Sequence, residues 1–459
     1  METPITFGTD GWRTTLDEFT APRVRKVGQA VATYLDDEGR GDDPVVVGYD
    51  ARESSRGFAE ELARVLAANG HDVLIPDRDR PTPLVAWAIV DRDLAGALMV
   101  TASHNPPEYN GVKFIPDDGA PALPAVTDAI EERLAEPIAL PEDEHGSVRE
   151  VDLTESHFEH ALDLVDTDVS DLTVVYDAIH GSGRGTTDAL LERAGATVER
   201  RRCERDTEFG GGSPEPSEEH LEPLVEAVRE ADADLGIAND GDADRLAVVT
   251  PERGFLDENL FFAALYDHLL DGDSGPAVRS VSTTFLIDRV AAAHGEEVVE
   301  TPVGFKWVAR AVAEHDALVG GEESGGFTVR GHVREKDGVL MALLAAAAEA
   351  EEPLDARVDR LLDEHGEIHQ GKISVDCPDS EKERVIDDLE GVIPDAVAGA
   401  AVEDVVTVDG FKLLLDDGSW SLVRPSGTEP KLRVYAEAGS EERVETLLAE
   451  GRELVEPLI

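Results

Sequence analysis

Residues 45–75 read VVVGYDARESSRGFAEELARVLAANGHDVLI. Val45–Tyr49 is an apolar run of strand length, Phe58–Ala68 reads as a helix, Asn69-Gly70 stops it, and Asp72–Ile75 begins a second strand. The same order returns at Thr173–Tyr176, with a helix over Thr187–Ala194, then Gly195 and a strand at Thr197–Glu199. A fainter copy has a strand at Ser280–Thr284, a helix over Ile287–Ala293, then Gly295 and a strand at Glu297–Glu300. Tyr-Asp-Ala recurs at 49–51 and 176–178, which marks an internal repeat. Strand–helix–strand units of this length predict α/β domains with largely parallel sheets.

The tail has a different pattern. Lys372–Cys377, Lys412–Leu415, Ser419–Val423 and Leu432–Glu437 read as clustered short strands, Asp416-Asp417-Gly418 as a hairpin turn, and Glu441–Val455 as a closing helix. That predicts a separate α+β domain. With 459 residues, the chain is past the roughly 250–300 at which single cores stop growing. The expected division is 1–150, 151–250 and 251–369 for three related α/β domains and 370–459 for the fourth. Pro137–Glu144 and Asp206–Pro216 read as loops or connectors.

Asp and Glu number 99 against 41 Lys and Arg, a net charge of −58. A basic nucleic-acid binder is excluded, and repulsion from phosphate argues against nucleic acid or an anionic membrane as partner. Hydrophobic residues make up 41%, enough to fill several cores, so the acidity is not a sign of disorder. Only eight of the 41 cations are lysine. Such a surface suits molar salt, where the Debye length is about 3 Å and carboxylate repulsion is screened; a saline cytoplasm, as in a halophilic archaeon, is expected. Cys203 and Cys377 alone make neither a disulfide framework nor a zinc cluster. Met1–Trp12 lacks the features of a secretory signal, and Val339–Ala348 is too short to span a membrane and reads as a buried helix. The expectation is a soluble cytoplasmic protein, monomer or homodimer.

Four loops carry chemistry. Thr101-Ala102-Ser103-His104-Asn105-Pro106-Pro107 follows the strand Gly96–Val100, at the end where α/β sheets bind ligands. Ser103 beside His104 invites a hydrolase reading, but sequence neighbours rarely face each other and no Gly-x-Ser-x-Gly elbow is present. Asp240-Gly241-Asp242-Ala243-Asp244-Arg245 follows Leu235–Ala238 and places three carboxylates where they can converge on one hard cation. A calcium loop counted from Asp240 would need Gly at 245 and Glu at 251, where Arg245 and Pro251 stand, so Mg²⁺ suits it better. Gly320-Gly321-Glu322-Glu323-Ser324-Gly325-Gly326 follows Ala317–Val319, with Glu322 and Ser324 able to bond sugar hydroxyls. Arg424-Pro425-Ser426-Gly427-Thr428-Glu429-Pro430 combines a forked cation, two hydroxyls and an accessible backbone N–H, a set suited to a phosphate dianion.

These loops, with Phe7-Gly8-Thr9-Asp10-Gly11-Trp12-Arg13 at the N-terminus, resemble the α-D-phosphohexomutase superfamily over essentially the whole chain. The resemblance implies three related α/β/α domains with mixed, largely parallel sheets and a C-terminal α+β domain of a TATA-box-binding-protein-like fold. It implies that Ser103 is the phosphoserine and that Asp240, Asp242 and Asp244 bind Mg²⁺, with the Ser103 phosphate completing the site. Arg13 and Lys113 become cations near the transferring phosphoryl, with Lys113 and His104 as candidates for proton transfer. Arg245, Lys306, Glu322, Ser324 and Lys336 become substrate contacts. Arg424, Ser426, Gly427 and Thr428, assisted by Arg433, become the clamp for the distal phosphate. The implied reaction moves a phosphoryl from Ser103 to a hexose monophosphate, through a hexose 1,6-bisphosphate that turns round and returns the other phosphoryl.

Relatives of broad mannose/glucose specificity commonly show Gly-Glu-Met-Ser-Gly-His in the sugar loop, and glucosamine mutases Gly-Glu-Gln-Ser-Gly-His. Here Glu323 and Gly326 stand at the Met/Gln and His positions. Glu-Glu-Ser, Thr301–Trp307 and Arg334-Glu335-Lys336-Asp337-Gly338 are similar to the glucose-type enzymes. The expected activity is a phosphoglucomutase, with phosphomannomutase, dual specificity or phosphoglucosamine mutase as alternatives. From other classes come an inactive sugar-phosphate binder, against which Ser103, Lys113 and Arg13 are all intact, and a metal-dependent phosphatase. Dialysis into dilute buffer should abolish whatever activity the protein shows in molar salt; full activity without added salt would refute the saline reading of the charge.

Overall fold

The apolar run Val45–Tyr49 is buried at all five positions and lies inside a six-stranded sheet. The computed structural model describes residues 4–8, 10–427 and 429–459. In it the sheet runs Trp12–Thr15, Tyr109–Pro116, Gly96–Val100, Val45–Tyr49, Val73–Pro76, Val148–Val151 from edge to edge. Thr428, expected in the phosphate loop, and Thr9, in the N-terminal signature, lie outside the described residues. A five-stranded sheet runs Gly254–Leu256, Leu246–Thr250, Leu235–Asn239, Thr173–Asp177, Thr197–Arg201. A four-stranded sheet runs Val298–Thr301, Ala277–Ser280, Val319–Glu322, Gly326–Val329.

Pairing shows what the three sheets share. In each, one strand lies parallel between two others: Val45–Tyr49, Thr173–Asp177 and Ala277–Ser280. In each, the second neighbour then folds back on itself as an antiparallel hairpin: Gly96–Val100 with Tyr109–Pro116, Leu235–Asn239 with Leu246–Thr250, and Val319–Glu322 with Gly326–Val329. The connections of these hairpins are the serine loop, the acidic loop and the sugar loop. The internal repeat therefore delivers one loop per copy to an equivalent place. Helices cover the sheets in three α/β/α units with mixed strand direction. The fourth sheet is antiparallel throughout: His369–Asp376, Lys431–Ala438, Trp420–Pro425, Phe411–Leu415, Ala400–Val406, Ala396–Val397. Helices Asp379–Glu390 and Glu441–Val455 accompany it.

Two expectations need correction. The third copy's strand is Ala277–Ser280 rather than Ser280–Thr284. The hydroxyl run instead makes a turn, in which Ser280 Oγ lies 2.8 Å from Thr283 Oγ1 and Thr284 Oγ1 accepts from Leu286 N at 2.9 Å. The strand escapes notice because Arg279 lies inside it, buried through ion pairs with Asp288 and Glu300. In the sugar loop, Gly320, Gly321 and Glu322 belong to a strand, and the turn begins only at Glu323.

Each α/β unit keeps an apolar cluster of its own on one side of its sheet, and all three share another. One apolar cluster extends from Val46 and Leu84 through Tyr176 and Leu235 to Phe262 and Leu343. Its axis is the helix Gly338–Glu351, buried from Gly338 to Ala348. Asp337 caps it by accepting from Val339 N and Leu340 N at 2.8 Å. The fourth unit has its own clusters and meets the third through an apolar patch of Val281 with Trp420, Leu422 and Tyr435 and through polar contacts. Lys412 Nζ donates to Val281 O at 2.8 Å and to Glu300 at 3.1 Å, between the rings of Phe285 and Trp420. Glu437 accepts from Phe285 N at 3.1 Å. No helix among the described residues is long and apolar enough to cross a membrane.

Candidate active site

Ser103 follows Gly96–Val100 with φ of 49°, in the left-handed region. This turn folds the loop back. Ser103 Oγ donates to Asp240 Oδ2 at 2.7 Å and stands 3.2 Å from His104 Nδ1. Adjacent residues do face each other here, contrary to the sequence expectation, because the positive φ reverses the chain between them. Repulsion by Arg245, then burial and Arg13, push His104 down to about 2. Its imidazole is therefore neutral and disfavours taking up a proton.

Asp240, Asp242 and Asp244 are fully buried, with ligand oxygens within 4.8 Å of one another. The Oδ1 atoms of Asp242 and Asp244 have no hydrogen-bond partner among the described residues. Burial, then the Asp244 and Asp242 carboxylates, push Asp240 well above the ordinary range. An all-oxygen donor set with orphaned lone pairs and mutual repulsion fits a small hard dication such as Mg²⁺.

Cations surround this cluster. Lys336 Nζ lies 2.8 Å from Asp244 Oδ2, and Lys113 Nζ lies 3.4 Å from Asp244 and 3.8 Å from Asp242. Burial opposes the charge of both ammoniums, but the carboxylates around them hold each above its ordinary value. Asp10 Oδ2 gathers them from the other side. Arg13 Nη2 is at 2.6 Å, Lys113 at 3.4 Å and Lys336 at 3.6 Å. Although burial favours its neutral form, Lys113, Lys336 and Arg13 hold Asp10 well below the carboxylate range. Lys306 Nζ donates to Gly8 O at 3.5 Å beside the same loop. Arg245 donates its backbone N–H to Asp240 Oδ1 at 3.2 Å.

Glu322 ends its strand buried and accepts from Gly304 N at 2.8 Å. Burial, then Glu323, push its carboxyl up to about 7. Ser324 is half-buried in the turn. Gly326 leaves space that another residue uses: a Cβ there would stand 2.5 Å from Lys336 Cδ. The lysine stem thus fills the space beside this loop that a side chain at 326 would need. In the fourth unit, Arg424 Nε donates to Asp409 Oδ2 at 2.8 Å. Arg433 bonds Ser374 and Glu429. Lys382 Nζ donates to Ser426 O at 2.6 Å and to Glu429 O at 2.5 Å, fixing the loop that exposes Gly427. The structure therefore brings the serine, acidic and lysine residues into one cluster, and holds the phosphate loop on the fourth unit.

The sequence reading gave no role to several residues that hold this arrangement. Arg52, 1% exposed, donates to the carbonyls of Ser103 at 2.8 Å, Asn105 at 2.6 Å, Pro106 at 2.6 Å and Tyr109 at 3.2 Å. Asp50 holds its Nε at 3.0 Å, and its guanidinium lies 5.1 Å from the Phe209 ring centroid. Its signal was the repeated Tyr-Asp-Ala, which ends one residue before it. Thr82 Oγ1 donates to Asp242 Oδ2 at 2.6 Å, and no local pattern marks it.

Three α/β/α units, an antiparallel fourth and a buried serine facing three aspartates define a phosphosugar-mutase architecture. Models of the phosphoglucomutase/phosphomannomutase family match in succession: α/β/α domain I over residues 4–139, domain II over 155–254, domain III over 257–365, and the C-terminal domain over 373–454. The chain belongs to this family. The "Probable phosphoglucosamine mutase" of Methanopyrus kandleri is 36% identical over 98% of this chain and 97% of its own. The "Phosphoglucomutase/phosphomannomutase" of Thermococcus kodakarensis is 34% identical over 98% of each. The crystal structure of a "putative phosphomannomutase" from Thermus thermophilus has a TM-score of 0.85 at 32% identity, covering 99% of this chain and 100% of that one.

Arg52→Lys keeps the charge but cannot reach four carbonyls from one nitrogen. Misplacement of a reacting group by about 1 Å can cost about 10²-fold, so turnover should fall about 10- to 100-fold with KM nearly unchanged; an unaltered rate would separate Arg52 from the serine loop. Glu322 supplies a pH test. Its folded value of about 7 exceeds the ordinary 4.5, so the unfolded chain ionises first and this group's contribution to stability is lost as pH rises between them. Glu322→Gln should flatten the thermal midpoint across that window, and an unchanged slope would exclude the raised carboxyl.

Proposed function

We propose that the protein is a Mg²⁺-dependent phosphohexomutase interconverting glucose 1-phosphate and glucose 6-phosphate. The observation that supports this most is Ser103 Oγ, 2.7 Å from Asp240, in a loop whose Asp244 pairs with Lys113 and Lys336, while Asp10 joins Arg13 to the same two lysines. Such a serine can carry a phosphoryl group of about −1.5 to −2 charge among groups able to neutralise it. Phospho-Ser103 gives its phosphoryl to a hydroxyl of the bound hexose phosphate: the Ser103 Oγ–P bond breaks, the sugar O–P bond forms, and the hydroxyl's proton ends on Ser103 Oγ. The 1,6-bisphosphate turns round, and Ser103 Oγ takes back the other phosphoryl while its proton passes to the sugar oxygen that is released. Lys113, held protonated, offers positive charge to the oxygen it faces, and the neutral His104 stands with Nδ1 3.2 Å from Ser103 Oγ. Mg²⁺ held by Asp240, Asp242, Asp244 and the Ser103 phosphate supplies charge neutralisation when bound. Glu322 and Ser324 grip sugar hydroxyls with Arg245, Lys306 and Lys336 nearby. Arg424, Ser426, Gly427 and Thr428, with Arg433, hold the phosphate that is not reacting. The four units divide at 150, 250 and 369, and the surface charge serves a saline cytoplasm.

A second reading is phosphoglucosamine mutase. The name of the Methanopyrus kandleri relative favours it, as does Glu323, a carboxylate in the sugar loop able to pair with a C2 ammonium. The glucose reading rests on Glu322-Glu323-Ser324, Thr301–Trp307 and Arg334–Gly338, which resemble the glucose-type enzymes. An assay of the purified protein in high salt with Mg²⁺, against the 1-phosphates of glucose, mannose and glucosamine, decides between them.

Ser103→Ala should abolish turnover while leaving fold and sugar-phosphate affinity in place, and the unmutated chain should contain a stable species heavier by one phosphoryl, about 80 Da. Turnover in the alanine variant would place the nucleophile elsewhere. Asp242→Asn should raise the Mg²⁺ concentration needed for half-maximal rate by about 10-fold or more, as the loss of one ligand carboxylate implies. An unchanged titration would leave the acidic loop without a metal.

A further inference from the structure

Asp409 stands at the end of the turn between strands Ala400–Val406 and Phe411–Leu415, outside every motif considered above. One of its oxygens serves two partners from different units. Oδ2 accepts from Arg424 Nε at 2.8 Å and from Val303 N at 3.1 Å. Val303 lies in the loop between Val298–Thr301 and Phe305–His315 of the third unit. The next N–H in that loop, of Gly304, donates to Glu322 Oε1 at 2.8 Å. Two carboxyls, Asp409 beside the clamp arginine and Glu322 offered to the sugar, are thus tied to successive amides of one short backbone segment.

The turn is built for this placement. Gly410 has φ of +81°, and a Cβ there would lie 2.1 Å from Val423 O and 2.9 Å from Arg424 Cα. The turn is therefore pressed against the strand that carries Arg424, and Asp409 cannot shift without opening that contact. A charge-assisted bond to Nε also fixes the plane of the guanidinium. We infer that Asp409 is a positioning residue, which aims Arg424 at the distal phosphate and sets its distance from Glu322 before substrate arrives.

This rests on the mutase reading for its kinetic part but not for its structural part. Lys412 and Glu437 hold the third and fourth units together independently of Asp409, so Asp409→Ala should fold and stay docked. Hydrogen exchange without sugar should show the Val303 amide and the 424–427 segment of Asp409→Ala exchanging about 10-fold faster or more, with the strands around Trp420 unchanged. KM for glucose 1-phosphate and for glucose 6-phosphate should each rise about 10-fold with kcat within about 3-fold, the mark of lost binding rather than lost chemistry. Asp409→Glu should recover part of both. Unchanged exchange at Val303 overturns the inference whatever the kinetics. Faster exchange with unchanged KM makes the contact structural and also overturns it. A wild-type protein inert toward glucose phosphates would sink the functional reading alone; the affinity for inorganic phosphate, read by calorimetry, then decides for Asp409, a fall of about 10-fold supporting it and no change overturning it.

Discussion

Three buried aspartates in one turn repel each other, and the surrounding structure answers that repulsion. Asp240, Asp242 and Asp244 lose nearly all contact with water, which costs several kcal/mol per ion unless opposite charge is close. The chain brings it from distant positions: Lys113 from a strand of the first unit and Lys336 from the approach to the third unit's central helix. Asp10 then ties the same cations to the N-terminal segment. Three units must meet at one point for these charges to balance. The continuous apolar cluster through them supplies the rigidity that keeps such charges at fixed distances.

The hairpin repeat explains how unlike chemistry came to lie together. Each α/β unit presents the connection of an equivalent antiparallel hairpin. One connection carries a hydroxyl, one three carboxylates, and one Glu323 and Ser324, just past Glu322 at its strand end. Strand pairing fixes where each loop emerges, and the loop sequence alone decides its chemistry.

Much of this was legible in the sequence. Strand-length apolar runs and the recurring Tyr-Asp-Ala gave the α/β units, because burial on both faces of a parallel strand leaves little room for polar residues. The exceptions show the limit of that rule. Arg279 sits in a buried strand since Asp288 and Glu300 pair with it, and a local reading sees only a charge where a strand should be apolar. The acidic helix Asp379–Glu390 and the exposed strand Ala400–Val406 went unread because water, rather than packing, meets most of their side chains. The motif residues of the site were legible as motifs. Arg52, Thr82 and Asp409 were not, since their partners lie 51, 160 and 106 positions away.

Lysine is scarce, and its distribution is uneven. Of the eight in the chain, Lys113, Lys306, Lys336 and Lys412 are buried. Lys26, Lys382 and Lys431 are half-buried, and Lys372 alone is exposed. The solvent-facing surface is thus almost without primary amines. Amine-directed chemistry, whether a dye, a cross-linker or an activated resin, would meet the protein chiefly at the strand His369–Asp376 and would take hold of the fourth unit first, with the partly open Lys26 as the secondary point of attachment on the first.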